Sequence, residues 1–370
     1  MRTFSVSVTI SAACMATSLL IAASAPAPAP TPAWNPRAAA AYLDGRADWW
    51  LAWPNAARDH DTACVSCHTA LPYALARPSL RAALAEHDPA TPERKLIANV
   101  VKRVRMWNEV EPFYPDQTRG LPKTSESRGT EAVLNALILA TRDARTGTLS
   151  DDARQAFSNL WPLQFKAGDL AGGWAWLNFQ YEPWEASASP YFGAALAAIA
   201  VGTAPGNYAN GADIQDRLKL LRGYLQRGAD SEKLFNRLMA LWASAKLPDV
   251  LSAVQRQAII DAAAAKQQDD GGWATAALGA WKRIDGTALD ARSDGYATGL
   301  ITFVLLQAGC SRDDVRVSNA IAWLVRHQDP ATGMWRASSL NKERDLSSDA
   351  GKFMSDAATA YAVLALTQDK

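Results

Sequence analysis

Trp323-Leu324-Val325-Arg326-His327-Gln328-Asp329-Pro330-Ala331-Thr332-Gly333-Met334-Trp335 joins two segments of different character. Before it, residues 312–327 place apolar side chains at helical spacing, with arginine and aspartate between them, as on a helix with one wet face. After it, residues 355–367 are apolar almost throughout, as expected of an enclosed helix. The junction recurs. Gln268-Asp269-Asp270-Gly271-Gly272-Trp273 repeats its second half, and residues 160–164 with Gly172-Gly173-Trp174 form a looser copy.

On either side of that junction, the pattern predicts helices near 37–53, 69–86, 92–109, 128–144, 150–164, 188–202, 211–227, 231–245, 249–267, 293–309, 312–327 and 355–367. Alternating β-branched runs are missing, so the fold class is all-α. Segments 213–227, 250–267 and 313–327 are amphipathic, whereas 132–140, 193–200 and 299–306 are apolar on every side. About six polar-outside, apolar-inside hairpins describe an α/α toroid with inner and outer rings.

The recurring junction resembles the QW repeat of the squalene-hopene cyclase and prenyltransferase superfamily, over roughly residues 128–367. The resemblance implies the same toroid, with Gln capping a helix end and stacking on Trp. It makes Trp174, Trp273 and Trp335 braces. It does not carry the family's chemistry with it. The D-x-D-D acid motif is absent, Asp269-Asp270 lies in a QW loop, and Asp313-Asp314 starts an outer helix. The diphosphate-binding D-D-x-x-D and the Asp, Cys and His zinc set of protein prenyltransferases are also missing, and the chain supplies one toroid where triterpene cyclases use two.

A second motif stands in the first long loop. Cys64-Val65-Ser66-Cys67-His68 has C-x-x-C-H spacing, which attaches haem c through two thioethers while the adjacent imidazole becomes an axial iron ligand. A local disulfide and part of a zinc site are the alternatives, although no second C-x-x-C or H-x3-H follows. Met106 is the nearest downstream methionine and the candidate sixth ligand, with His60, His87, Met334 and Met354 behind it. Arg58, Arg77 and Arg119 are candidate partners for haem propionates.

The start of the chain supports export. Met1-Arg2, an apolar stretch from about residue 6 to 23, and small residues at 22–25 read as a secretory signal peptide over 1–25. An Ala/Pro-rich linker occupies 26–35. The expected location is periplasmic or otherwise exported, with no integral membrane segment after cleavage. Residues 36–127 then form an N-terminal helical segment that carries the C-x-x-C-H motif and is part of the toroid, ahead of the QW-repeat toroid at 128–370. With 49% hydrophobic residues and a formal net charge of +1, the chain can bury a large core and has no electrostatic basis for nucleic-acid binding. Cys310 is a lone buried thiol.

Helix parity locates the chemistry. Loops 54–67, 110–127, 165–187, 268–292 and 328–354 all precede inner helices, so they collect at one mouth of the ring together with Cys64, Cys67 and His68. Glu131, Asp294 and Asp356 fall near inner-helix starts at the same rim. There they serve either as caps and dipole partners or as catalytic carboxyls facing an apolar chamber. The functional expectation is electron transfer, with a periplasmic redox partner, or haem-dependent oxidation at the mouth. A terpenoid-cyclase-like enzyme and a binding module for a hydrophobic small molecule in the cavity are the alternatives.

Overall fold

The computed structural model describes Met1 and residues 33–368; the expected signal peptide and most of the linker lie outside them. Residues from Ala33 onward form one compact unit. The fold is all-α, with thirteen helices among the described residues. Six of them, α2 (Ala70–Ala83), α5 (Lys123–Ala144), α7 (Ser189–Thr203), α9 (Leu234–Lys246), α11 (Gly295–Gln307) and α13 (Phe353–Thr367), touch in the order α2–α5–α7–α9–α11–α13 and back to α2. That order closes a ring. Outside it lie α1 (Pro36–Ala52), α3 (Thr91–Arg105), α6 (Asp151–Leu160), α8 (Gln215–Gly228), α10 (Ala253–Ala264) and α12 (Val315–His327), each packed on at least one ring helix. The remaining helix, α4 (Asp116–Arg119), is a single turn in a long loop.

The helices start where local chemistry dictates. Ser150 and Asp314 accept backbone N–H groups at the heads of α6 and α12, and Ser252 with Gln255 forms a reciprocal capping box on α10. All six ring helices run in one direction. Their C-terminal halves together line one pocket, which includes Ser79, Thr141, Thr203, Lys246, Gln307 and Thr367. Between the two ends the ring is filled by aromatic side chains. Phe192, Phe235, Tyr296 and Tyr361 follow one another at centroid distances of 5.5, 6.4 and 5.8 Å, and Trp242 meets Phe303 edge-on at 5.0 Å.

The QW junctions tie outer helices to their neighbours. Each Trp is fully buried and donates its indole N–H to the end of the preceding outer helix: Trp174 to Leu160 O, Trp273 to Ala263 O and Trp335 to Leu324 O. The paired glutamines are Gln164, Gln267 and Gln328. Their amides donate both to the glycine carbonyl of their own loop and to a backbone carbonyl of the next outer segment, Arg217, Arg316 and Asn35 respectively. Gln267 therefore takes the place expected of Gln268, whose amide donates to Ala291 O instead. Gln328 closes the ring onto the residue that caps α1, and Trp34 packs against Trp335 at 6.0 Å. Trp34 and Asn35 thus belong to the folded unit rather than to the tether. Gly333 must be glycine: its φ is +78°, and a Cβ would lie 2.3 Å from the Ala38 carbonyl carbon.

One small departure from the all-helical pattern sits beside the cysteine motif. Ala57–Arg58 and Thr62–Ala63 pair as a two-stranded antiparallel ribbon, β1 and β2. The turn between them holds His60 and Asp61 at positive φ.

Candidate functional site

The ribbon delivers the motif to the ring. Cys64 N–H donates to Ala56 O, and Trp50 Nε1 donates to Cys64 O at 2.7 Å. Asn99 on α3 brackets Ala63 from both sides, accepting from its N–H and donating to its carbonyl. Arg103 is fully buried and clamps the same ribbon: it donates to Thr62 Oγ1 at 2.6 Å, to Glu111 O, and to both carboxylate oxygens of Glu131. Ser66 Oγ then accepts the N–H groups of Thr69 and Ala70, capping α2 from inside the C-x-x-C-H sequence.

His68 is half-buried in an aromatic cage. Its ring stacks on Phe353 at 3.9 Å and meets Trp50 edge-on at 4.9 Å, with Trp184 at 6.0 Å. Its protonation is set by a relay. Thr69 Oγ1 donates to Asp356 Oδ2 at 2.7 Å, which commits the hydroxyl proton, so the 2.8 Å contact between His68 Nδ1 and Thr69 Oγ1 requires the imidazole to donate. Nδ1 carries the proton and Nε2 keeps its lone pair, with no hydrogen-bond partner among the described residues. Burial, aided by Arg46, pushes the His68 pKa down to about 3, so the ring is neutral at physiological pH. Asp356 is held in turn by Arg46 Nε and Tyr42 OH, both at 2.8 Å.

Cys64, Ser66 and His68 open on a cavity of about 240 Å³, bounded also by Trp50, Trp53, Tyr114, Trp184, Phe353 and Met354. A second cavity of about 660 Å³ shares Trp50, Trp53 and Tyr114 with it and is flanked by Arg58 and Arg119. Both arginines lie over the Tyr114 ring, at 4.7 and 5.7 Å. Cys67 is buried and does not line either cavity. Cys64 and Cys67 are free thiols; burial pushes Cys64 up to about 12 and Cys67 well above the ordinary thiol value. Neither has the depressed pKa of a redox-active thiolate.

Glu185 carries no motif and faces this cavity. Its carboxylate has no hydrogen-bond partner among the described residues, and burial, opposed only by Lys123, lifts its pKa to about 7. Sequence reading missed it because it lies in an irregular loop, held by Glu185 N–H to Tyr181 O pairing.

The other expected site residues fall elsewhere. Glu131 is fully buried against Arg103, and Asp294 caps α11 by accepting from Tyr296, Ala297 and Thr275 N–H. Asp356 takes three donors. None of the three carboxyls lines the cavity at Cys64 and His68. Met106 caps the end of α3 away from both cavities, whereas Met354 lines the His68 cavity. Arg77 pairs with Asp44 and Glu86, while Arg58 and Arg119 come together at the larger cavity. His60 is exposed on the ribbon turn, and His87 is exposed beyond α2.

Among the described residues, no group of three His, Cys, Asp or Glu side chains is placed to hold a metal ion, so a zinc cage at Cys64 and Cys67 lacks its further ligands. No described helix is long and apolar enough to cross a membrane. No family model matches the chain, and no curated protein matches it significantly.

Proposed function

We propose that the chain is an exported monohaem c-type protein built on an α/α toroid of the squalene-hopene cyclase and prenyltransferase type. Its haem would work at the ring's mouth, in electron transfer or haem-dependent oxidation. The observation that carries this reading is the state of His68: a neutral imidazole with Nδ1–H committed to Thr69 and Asp356, and Nε2 free beside a cavity that Cys64 borders. That is the tautomer and outer support of a metal-ligating histidine.

The residues present suit the group. Cys64, on the cavity wall, would hold haem c covalently with His68 as iron ligand, and Cys67, buried off the cavity, would have to turn toward it to form the second thioether. Aromatic walls at Trp50, Trp53, Tyr114 and Phe353 match a flat apolar macrocycle, and Arg58 and Arg119 are placed for its acidic edge. Met354 replaces Met106 as the methionine on hand for the sixth position. When bound, haem supplies a one-electron iron couple tuned by its axial ligands and by burial. The chain's own residues hold and orient the ligand histidine, exclude water through the aromatic cage, and keep a protonatable carboxyl, Glu185, at the cavity wall. An exported location follows from the signal peptide read over residues 1–25, and a periplasmic redox partner would dock at the loops around this mouth. The cyclase reading gains no support, because Glu131, Asp294 and Asp356 are each engaged by internal donors.

The test is a visible spectrum of protein exported with c-type maturation machinery, in oxidised and reduced states, after acid-acetone extraction. A retained Soret band is expected, lost in Cys67→Ala and altered in His68→Ala. Colourless wild-type protein overturns the proposal.

A further inference from the structure

A separate cavity opens on the flank of the ring and shares no lining residue with the two cavities of the mouth. It lies where α2, α3 and α5 meet and has a volume of about 430 Å³, within the range of small-ligand sites of roughly 300–1,000 Å³. Its walls are apolar: Tyr73, Pro78, Leu96, Ile97, Val101 and Ile138. The opening has a local cause. α2 and α5 touch far less than α5 and α7 or α11 and α13 do, and Pro78 stands inside α2. The seam is thus the weakest joint of the ring.

Four arginines surround this apolar floor: Arg81, Arg94, Arg142 and Arg145. Two are already neutralised. Arg81 pairs with Glu93 Oε1 at 3.4 Å, and Arg142 pairs with Asp143 at 2.8 Å. Arg94 and Arg145 have only neutral partners. Arg94 donates to Thr91 Oγ1 and the Pro89 carbonyl, and Arg145 donates to Ser79 Oγ at 3.1 Å. Neither has a carboxylate within ion-pair distance among the described residues. Glu93 also lines the pocket, paired with Arg81, and its charge reaches Arg145 without an ion pair; the four arginines outnumber this one carboxylate. Two guanidinium groups without an ion-pair partner beside an apolar pocket are complementary to an anion with an apolar tail, because the head gains charge-assisted hydrogen bonds while the chain leaves water.

We infer that this flank pocket binds the free carboxylate form of a single-chain fatty acid of about ten carbons, with its head at Arg94 and Arg145 and its chain against Leu96, Val101 and Ile138. A cationic amphiphile is disfavoured, because four arginines face one lining carboxylate, Glu93. The site is independent of any haem at the mouth, so its occupancy and the spectrum of the protein report on different proposals.

Calorimetric titration of the full exported chain with decanoate below its micelle concentration tests this. Saturable binding at one site is expected, with no saturable binding of decyltrimethylammonium, which has the same chain and the opposite charge. The double variant Arg94→Ala/Arg145→Ala should bind decanoate at least about tenfold more weakly, the scale of a lost charge-assisted hydrogen bond. Ala98→Trp, at an exposed position on the pocket wall, should block it without disturbing the core. Circular dichroism and thermal midpoints confirm that both variants are folded. The inference fails if wild type shows no saturable decanoate binding, if both amphiphiles bind equally, or if decanoate binding survives both variants. Sedimentation with anionic phospholipid vesicles but no decanoate binding would assign the arginines to a lipid surface and would also overturn it.

Discussion

Glu185→Gln should change how stability depends on pH, and the structure gives both the sign and the size. The Glu185 carboxyl is lifted from 4.5 to about 7 by burial at the cavity wall, with Lys123 as its one opposing charge. In the folded state it therefore keeps its proton over a range in which the unfolded chain has released it. The contribution is fully present below the unfolded value near 4.5 and is lost as pH rises through about 7. At ~1.36 kcal/mol per pH unit the loss would be about 3 kcal/mol, and water reaching the cavity side brings the expectation to about 2 kcal/mol. Glutamine cannot titrate. Urea unfolding of wild type and Glu185→Gln at pH 4.5, 6 and 8, with common m-values, isolates the group, because every other titration cancels in the difference. The wild type should lose about 2 kcal/mol relative to the variant between pH 4.5 and 8. A difference that stays constant over that range refutes the reasoning, and so does one that grows in favour of wild type.

Three further outcomes follow from the contacts around the motif. Glu131→Gln leaves Arg103 buried without its carboxylate and should cost about 3 kcal/mol in chemical denaturation, with faster amide exchange at Thr62 to Cys64 as the ribbon loosens. Thr69→Val removes the acceptor that fixes His68, so in haem-free protein nitrogen-15 spectra of the neutral ring should change from the Nδ1–H tautomer to a mixture. Gln267→Ala should cost about 1–2 kcal/mol more stability in urea unfolding than Gln268→Ala, since it cuts two part-buried ties, one within its own loop and one to the neighbouring outer segment.

The helices and their order were readable because burial imposes a period. Segments 132–140 and 299–306 had no polar face to give to water, and the structure places both in the ring. The brace tryptophans were equally plain, but adjacent Gln267 and Gln268 could not be separated by spacing alone; the choice is made by which amide reaches Arg316 O. Asp356 was visible as a rim carboxyl, yet its service to Thr69 and His68 joins residues 287 apart in the chain, and no local pattern encodes that. The same holds for Trp184, Glu185, Phe353 and Met354, which converge on His68 from one loop and from the start of α13. Met106 was favoured by closeness in sequence, whereas ring closure brings Met354 to the cavity.

The most direct measurement is the mass of the peptide spanning Cys64 to His68, released by proteolysis from wild-type protein exported with c-type maturation machinery. The account predicts one porphyrin joined to both Cys64 and Cys67. Recovery of that peptide with two unmodified thiols, or with the two sulfurs bonded to each other, contradicts it.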